Sequence, residues 1–296
     1  MSAPDKQLGI VVAVDGSPAS NVAASWAARE ASMRNVPLTV LHAVSTPTAT
    51  YPPVPYPESL VTSLEDEGKK AIMHAMKIAD EAMPADRKVP IGRELVYSAP
   101  VPALLKMSDT AEMIVVGSSG HGLLARGVLG SVSSTVVRHA NCPVAVLRDE
   151  ELPDPRNGYV LLGTDGSPAS ELATEIAFDE ASRRGVDLVA IHAWSDTAVT
   201  EIFEAEWPAV EGEAQRSLAE SLAGWQERYP DVAVHRLVAR DRAARHLIDK
   251  AEGAQLVVVG SHGRGGLASM LLGSVSNTVL HSVRVPVIVA RPAAPE

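Results

Sequence analysis

The chain has 296 residues, of which 46% are hydrophobic and 21% charged, a composition that describes globular domains with sizeable cores and excludes a disordered chain. The formal net charge is -10, with 13 Lys+Arg against 15 Asp+Glu in residues 1–150 and 13 against 21 in residues 151–296; no basic run offers a surface for nucleic acid. One cysteine, Cys142, rules out an intramolecular disulfide, and no segment has the length of a membrane span or the basic-then-apolar form of a signal peptide, so the expectation is a cytoplasmic protein without integral membrane association.

Ile10 to Val14 is a short apolar run that reads as a strand, ending in Asp15-Gly16-Ser17-Pro18-Ala19-Ser20. Ser17 reads as a helix N-cap with Pro18 at the first helical position, which predicts a helix to about Arg34 with Val22, Trp26 and Ala27 facing inward. A second strand, Leu38 to Val44, follows Pro37. Strand, capped helix and strand with no hairpin turn form a βαβ unit and imply a parallel sheet covered by helices. Ser45 to Pro57 holds five prolines and reads as a stiff surface loop. Residues 58–83 read as a helix, with Glu65, Asp66, Glu67, Lys69 and Lys70 outside and Ile72, Met76 and Ile78 toward the core. Then come a strand from Ile91 to Tyr97, a helix capped by Ser98 and containing Leu104 and Leu105, a strand from Met113 to Val116, and a last strand from Val144 to Leu147.

Asp149 to Asn157, charged and carrying Pro153 and Pro155, reads as a boundary, and the chain then starts again. Asp165 to Ser170 repeats Asp15 to Ser20 residue for residue at a displacement of 150, just after Gly163, and His192-Ala193 repeats His42-Ala43 at the same displacement. Leu272-Gly273-Ser274-Val275-Ser276 repeats Leu129-Gly130-Ser131-Val132-Ser133 at a displacement of 143, which leaves a net insertion of seven residues in the first half, assigned to the proline-rich loop. Repeats of this length are complete domains rather than solenoid units, and the expected domains are residues 1–150 and 151–296. In the second copy, helices are predicted at 168–184, about 206–229 and from Asp241 to Ala251, with a strand from Val232 to Ala239; Trp207 and Trp225 suit either a core or an interface.

Each half also contains G-x2-G-x9-G-S, as Gly117, Gly120, Gly130 and Ser131, and as Gly260, Gly263, Gly273 and Ser274. A glycine turn leading to a helix N-terminus lets backbone N–H groups approach an anion closely, and phosphate is the natural guest. In an open parallel sheet ligands sit beyond the carboxyl ends of the strands where the strand order reverses. With strands 1 and 4 adjacent, Asp15 shares a crevice with the first set of glycines and Asp165 with the second. The carboxylate then accepts from ribose hydroxyls or helps to place a divalent cation, and the combination describes a nucleotide. The bland reading is that Asp15-Gly16-Ser17-Pro18 is a strand-to-helix turn and that Ser131 and Ser274 are N-caps. His42 and His192 read as packed, hydrogen-bonded sheet residues. His121 and His262 stand at unlike positions in the glycine loops, and Arg126 and Arg264 lie within reach of phosphate or solvent. His139, His246 and His281 lack metal-ligand spacing. The sequence contains no G-x4-G-K-[ST], no G-x-G-x-x-G after the first strand and no G-x-S-x-G elbow, which favours holding a nucleotide over rapid turnover.

On Asp15 and Asp165, the two G-x2-G-x9-G-S stretches and the last strands opened by Pro143 and Pro286, the sequence resembles the universal stress proteins, in particular tandem two-domain members from mycobacteria and other actinobacteria. The resemblance implies an α/β fold, Rossmann-like and adenine nucleotide alpha hydrolase-like, with a five-stranded parallel sheet of order 3-2-1-4-5 in each domain and helices on both faces. It implies one ATP per domain, with magnesium. Asp15 and Asp165 would meet ribose or the metal. Gly117, Gly120, Gly130, Ser131 and Ser133 would surround one set of phosphates, and Gly260, Gly263, Arg264, Gly273, Ser274 and Ser276 the other. Main chain at Ala13, Ala43 and Val44, and Gly163 in the second copy, would line the base. The implied role is regulatory, in growth or survival under oxygen limitation, starvation or dormancy, with at most slow ATP hydrolysis. An internal pairing of the halves through their last strands, a surface for homodimerisation and a regulatory protein partner are implied as well. The competing readings are a slow magnesium-dependent ATPase or phosphotransferase, and an interaction module with degenerate pockets.

Overall fold

The computed structural model describes residues 8–45, 58–120, 129–148, 152, 157–193, 207–240, 242–263 and 272–292. The proline-rich loop beyond Ser45, most of the boundary segment, and His121, Arg126, Asp241 and Arg264 lie outside the described residues. The chain forms two compact units, the first spanning Met1–Glu150 and the second Glu151–Ala294.

In the first unit the elements run β1 (Ile10–Ala13), α1 (Pro18–Arg34), β2 (Leu38–Ala43), α2 (Glu58–Ala82), β3 (Ile91–Val96), α3 (Pro100–Met107), β4 (Met113–Gly117), α4 (Ser131–His139) and β5 (Val144–Leu147). The sheet order is β3-β2-β1-β4-β5 and every pairing is parallel. β1 pairs with β2 on one side and β4 on the other, so the strand order reverses between β1 and β4. Ile10, Val11 and Val12 are wholly buried, which is why β1 reads as an unbroken apolar run: a parallel strand is covered on both faces.

Helix α1 begins as expected. Ser17 Oγ accepts from the Ser20 amide at 3.2 Å and Pro18 occupies the first position. Its inner face is a ladder of small residues, Ala23, Ala24, Ala27, Ala28 and Ala31, together with Trp26, while Val22 is only half-buried. That ladder lets α1 lie close to α2, whose Ile72, Ala75 and Ala79 are buried and whose Met76 and Ile78 are half-buried. Helix α3 corrects one expectation. Its N-cap is Ala99 rather than Ser98, without a side-chain cap bond. Pro100 sets the reason, since proline holds the preceding residue extended and itself supplies a helical φ, so the helix starts at the proline.

The second unit repeats the plan as β6 (Tyr159–Thr164), α5 (Pro168–Arg184), β7 (Leu188–Ala193), α6 (Trp207–Arg228), β8 (Val234–Ala239), α7 (Ala243–Ala251), β9 (Ala254–Gly260), α8 (Ser274–Ser282) and β10 (Val287–Ala290). Its order is β8-β7-β6-β9-β10, again all parallel. β8 and α7 each start two residues later than the sequence predicts, and Arg242 precedes α7 in a left-handed conformation, φ 51°. The packing between helices differs from that of the first unit. Where α1 has Ala28, α5 has the buried Phe178, whose ring stacks on Trp225 and Tyr229 of α6 at centroid distances of 6.3 and 5.8 Å. Trp225 is therefore a core partner of its own unit. Among the described residues, no helix is long and apolar enough to cross a membrane.

Candidate functional site

At the carboxyl end of the first sheet, where the order reverses, lies a cleft of about 280 Å³. Its position follows from the topology: α1 and β2 leave β1 to one side, α4 and β5 leave β4 to the other, and the crevice between them stays open. One flank is apolar, formed by Val14, Leu41, Val116, Pro100 and Leu104. The other is made of glycine, serine and helix N-terminus, with Gly117, Ser119, Gly120, Gly130 and Ser131. Asp15 stands at the end of β1.

The turn after β1 is tight. Gly16 adopts φ 87°, and Asp15 Oδ1 accepts the Ser17 amide at 3.0 Å, so the carboxylate helps to start α1 as well as facing the cleft. Gly120 packs against the other carboxylate oxygen so closely that a Cβ there would overlap Oδ2. Gly117 is glycine for a different reason: a Cβ would come within 2.9 Å of the Ala19 carbonyl carbon, so its absence lets the end of β4 press on the first turn of α1.

The amide of Gly130 is not bare, because it donates to the Ser118 carbonyl at 2.6 Å. Gly130, not Ser131, is the N-cap of α4, and the first intrahelical bond is Ser134 N–H to Gly130 O. That leaves the amides of Ser131, Val132 and Ser133 without acceptors among the described residues, a ready anion cradle at the cleft wall. Ser133 also lines the cleft, but its hydroxyl donates to the Gly117 carbonyl at 2.6 Å and so ties α4 to β4.

Of the residues expected in the first unit, Ala13, Asp15, Ala43, Gly117, Gly120, Gly130, Ser131 and Ser133 line this one cleft. Val44 does not: it is 2% exposed and its amide donates to Val96 O at 2.8 Å. His42 has the predicted sheet role, Nδ1 lying 2.7 Å from Val14 O, and lines the cleft in addition. Sequence reasoning missed Pro100 and Leu104, which reach the cleft only through the placement of α3 and carry no motif. The recurrence of His42 as His192 was a signal for the position.

The second unit has the same framework. Gly166 adopts φ 76°, Asp165 Oδ1 accepts the Ser167 amide at 3.0 Å, and a Cβ on Gly263 would overlap the Asp165 carboxylate. Gly260 packs on Ala169, Gly273 N–H donates to Ser261 O at 2.7 Å and Ser276 Oγ to Gly260 O at 2.6 Å. Gly273 is the N-cap of α8, and Ser274 opens the helix with an exposed side chain. Gly163 accommodates Leu247, whose Cδ1 a Cβ would meet at 2.9 Å. His192 Nδ1 lies 3.0 Å from Thr164 O.

The donor set fits a nucleotide better than a free metal. Amides unpaired at a helix start suit phosphate oxygens, and an apolar flank suits a base. No group of three or more His, Cys, Asp or Glu gathers among the described residues, so a cation here would rest on one carboxylate and on the ligand's own oxygens, the way magnesium is commonly held.

The universal stress protein family pattern matches residues 9–148 and again 158–291. The chain belongs to the universal stress protein family. It is 61% identical over 293 residues to "Universal stress protein Rv2005c" of Mycobacterium tuberculosis, covering 98% of this chain and 99% of that one. It is 52% identical over 293 residues to "Universal stress protein Rv2623" of the same organism, with the same coverage. A crystal structure of a universal stress protein from Archaeoglobus fulgidus superposes with a TM-score of 0.71 at 20% identity, over 97% of each chain, a likeness of fold. This universal stress protein thus carries the tandem organisation and the general stress-response role of its family.

Proposed function

We propose that this universal stress protein is an ATP-binding regulator, taking one ATP with magnesium in each unit and reporting its occupancy to a protein partner under oxygen limitation, starvation or dormancy. The observation that carries the reading is the composition of the first cleft, an apolar flank of Val14, Leu41 and Leu104 opposite the unpaired amides of Ser131, Val132 and Ser133, with Asp15 at the strand end. In this reading the base lies on the apolar flank beside Ala13 and Ala43, the phosphates sit on the helix start and Gly120, and Asp15 meets a ribose hydroxyl or the metal. Asp165, Gly263, Gly273 and Ser274 take the same roles in the second unit. Binding rather than turnover is the favoured activity, since Asp15 and Asp165 already accept a backbone amide and serve as positioning groups.

The test is the nucleotide content of the protein purified without added ligand, read after denaturation, followed by calorimetric titration with Mg-ATP. About two ATP per chain is expected from one cleft in each unit. No released nucleotide and no heat of binding would overturn the proposal.

A further inference from the structure

Among the described residues, the phosphate end of the first cleft and the matching turn of the second unit share a backbone but differ in one side chain. Ser17 Oγ donates to Ser119 O at 3.4 Å, and Ser167 Oγ donates to His262 O at the same distance, which places His262 where the first unit has Ser119, a residue that lines its cleft. The His262 ring is held. Its Nδ1 lies 3.0 Å from Oγ of Ser261, which is 1% exposed, while the ring itself is half-buried. Among the described residues Nε2 has no hydrogen-bond partner. The contact leaves the donor and acceptor roles to the tautomer: in the form with its proton on Nε2, the serine hydroxyl donates to Nδ1 and Nε2–H is a donor suited to a phosphate oxygen.

Sheet order gives the direction. Leu41, Pro100 and Leu104 of the apolar flank come from β2 and α3 and the glycine turn follows β4, with β2 and β4 on opposite sides of β1. A nucleotide with its base on the apolar flank extends its phosphate chain across the switch point, toward the place held by Ser119 in one unit and by His262 in the other. Building on the nucleotide reading, we infer that the clefts differ in the nucleotide they prefer: Nε2–H of His262 contacts a phosphate beyond the first, so the second unit favours ATP over AMP more strongly than the first does. The short Ser119 hydroxyl makes no such contact.

The experiment uses the full chain with one cleft filled, Gly120→Phe to leave the second and Gly263→Phe to leave the first, and calorimetry with AMP, ADP and ATP in magnesium. In the Gly120→Phe protein, His262→Leu is expected to weaken ATP about tenfold, the scale of one hydrogen bond to a charged group, while AMP affinity stays unchanged. In the Gly263→Phe protein, Ser119→His recreates the pair, because Ser118 already stands where the second unit has Ser261, and ATP preference should rise by a similar factor. Equal ATP-to-AMP ratios in both single-cleft proteins, or loss of AMP together with ATP in His262→Leu, would overturn the inference while leaving the nucleotide reading intact. No nucleotide binding by the unblocked protein would defeat that reading and this inference with it.

Discussion

Gly120 lies directly on the Asp15 carboxylate, and Gly263 lies on Asp165 in the same way. In each unit the loop after the fourth strand therefore meets the turn after the first through a contact in which a Cβ would displace the carboxylate. Gly120→Ala should push the carboxylate off the Ser17 amide, at about 1 kcal/mol for a weakened helix start, and lower nucleotide affinity in that unit. Thermal unfolding and Mg-ATP titration of the single variant read the two effects separately; an unchanged melting temperature and full stoichiometry would contradict it.

Ser133→Ala and Ser276→Ala each remove a 2.6 Å hydrogen bond to the carbonyl of the glycine that ends the fourth strand of its unit. Both serines are buried, so the carbonyl is left poorly satisfied and about 1–3 kcal/mol of stability is lost. Urea denaturation measures the loss. Ser131→Ala, whose side chain is exposed, serves as the control and should stay within about 0.5 kcal/mol.

Cys142 is buried against the start of β5, and burial pushes its thiol up to about 12. The folded state thus holds the proton more tightly than the unfolded chain. Stability contributed by this group is complete below the unfolded value near 9 and declines as pH rises toward 12, by up to about 1.4 kcal/mol per pH unit. Cys142→Ala should flatten that slope between pH 9 and 11. A thiol reagent at pH 8 should label the wild-type protein only after denaturant is added, and rapid labelling of the folded protein would refute the burial.

Glu180 on α5 is fully buried and pairs with Arg184 one turn on, and Glu30 pairs with Arg34 at the matching place on α1 at 3.5 Å. Removing one member takes a close charged partner from the other at a buried site. Glu180→Ala should cost about 3–5 kcal/mol, whereas the double change Glu180→Met, Arg184→Met should cost far less. Denaturation midpoints of the two proteins decide; a double variant as unstable as the single one would show that the pair does more than neutralise itself.

Much of this was legible in the chain itself. The repeat of Asp15 to Ser20 as Asp165 to Ser170, the unbroken apolar strands and the proline-started helices determined an α/β fold with a parallel sheet in each half, because these signals act within a few residues. Helix α1 and its Ser17 cap are such a case. The G-x2-G-x9-G-S spacing marked the residues of the phosphate end for the same local reason.

What the sequence did not determine was which atom of each marked residue is available. Gly117 is small because Ala19 packs against it, the Gly130 amide is already bonded to Ser118, and the Ser133 hydroxyl to Gly117, so the unpaired donors are the next three amides of α4. Nor could spacing reveal that Pro100 and Leu104 complete the apolar flank, or that Ser261 holds the ring of His262. These are relations between segments far apart in the chain, created when β4 and α3 come to lie beside β1 and β2, or, for neighbours such as Ser261 and His262, by the direction in which a turn aims two side chains. Local pattern specifies the elements; only their packing decides which polar groups satisfy one another and which are left for a ligand.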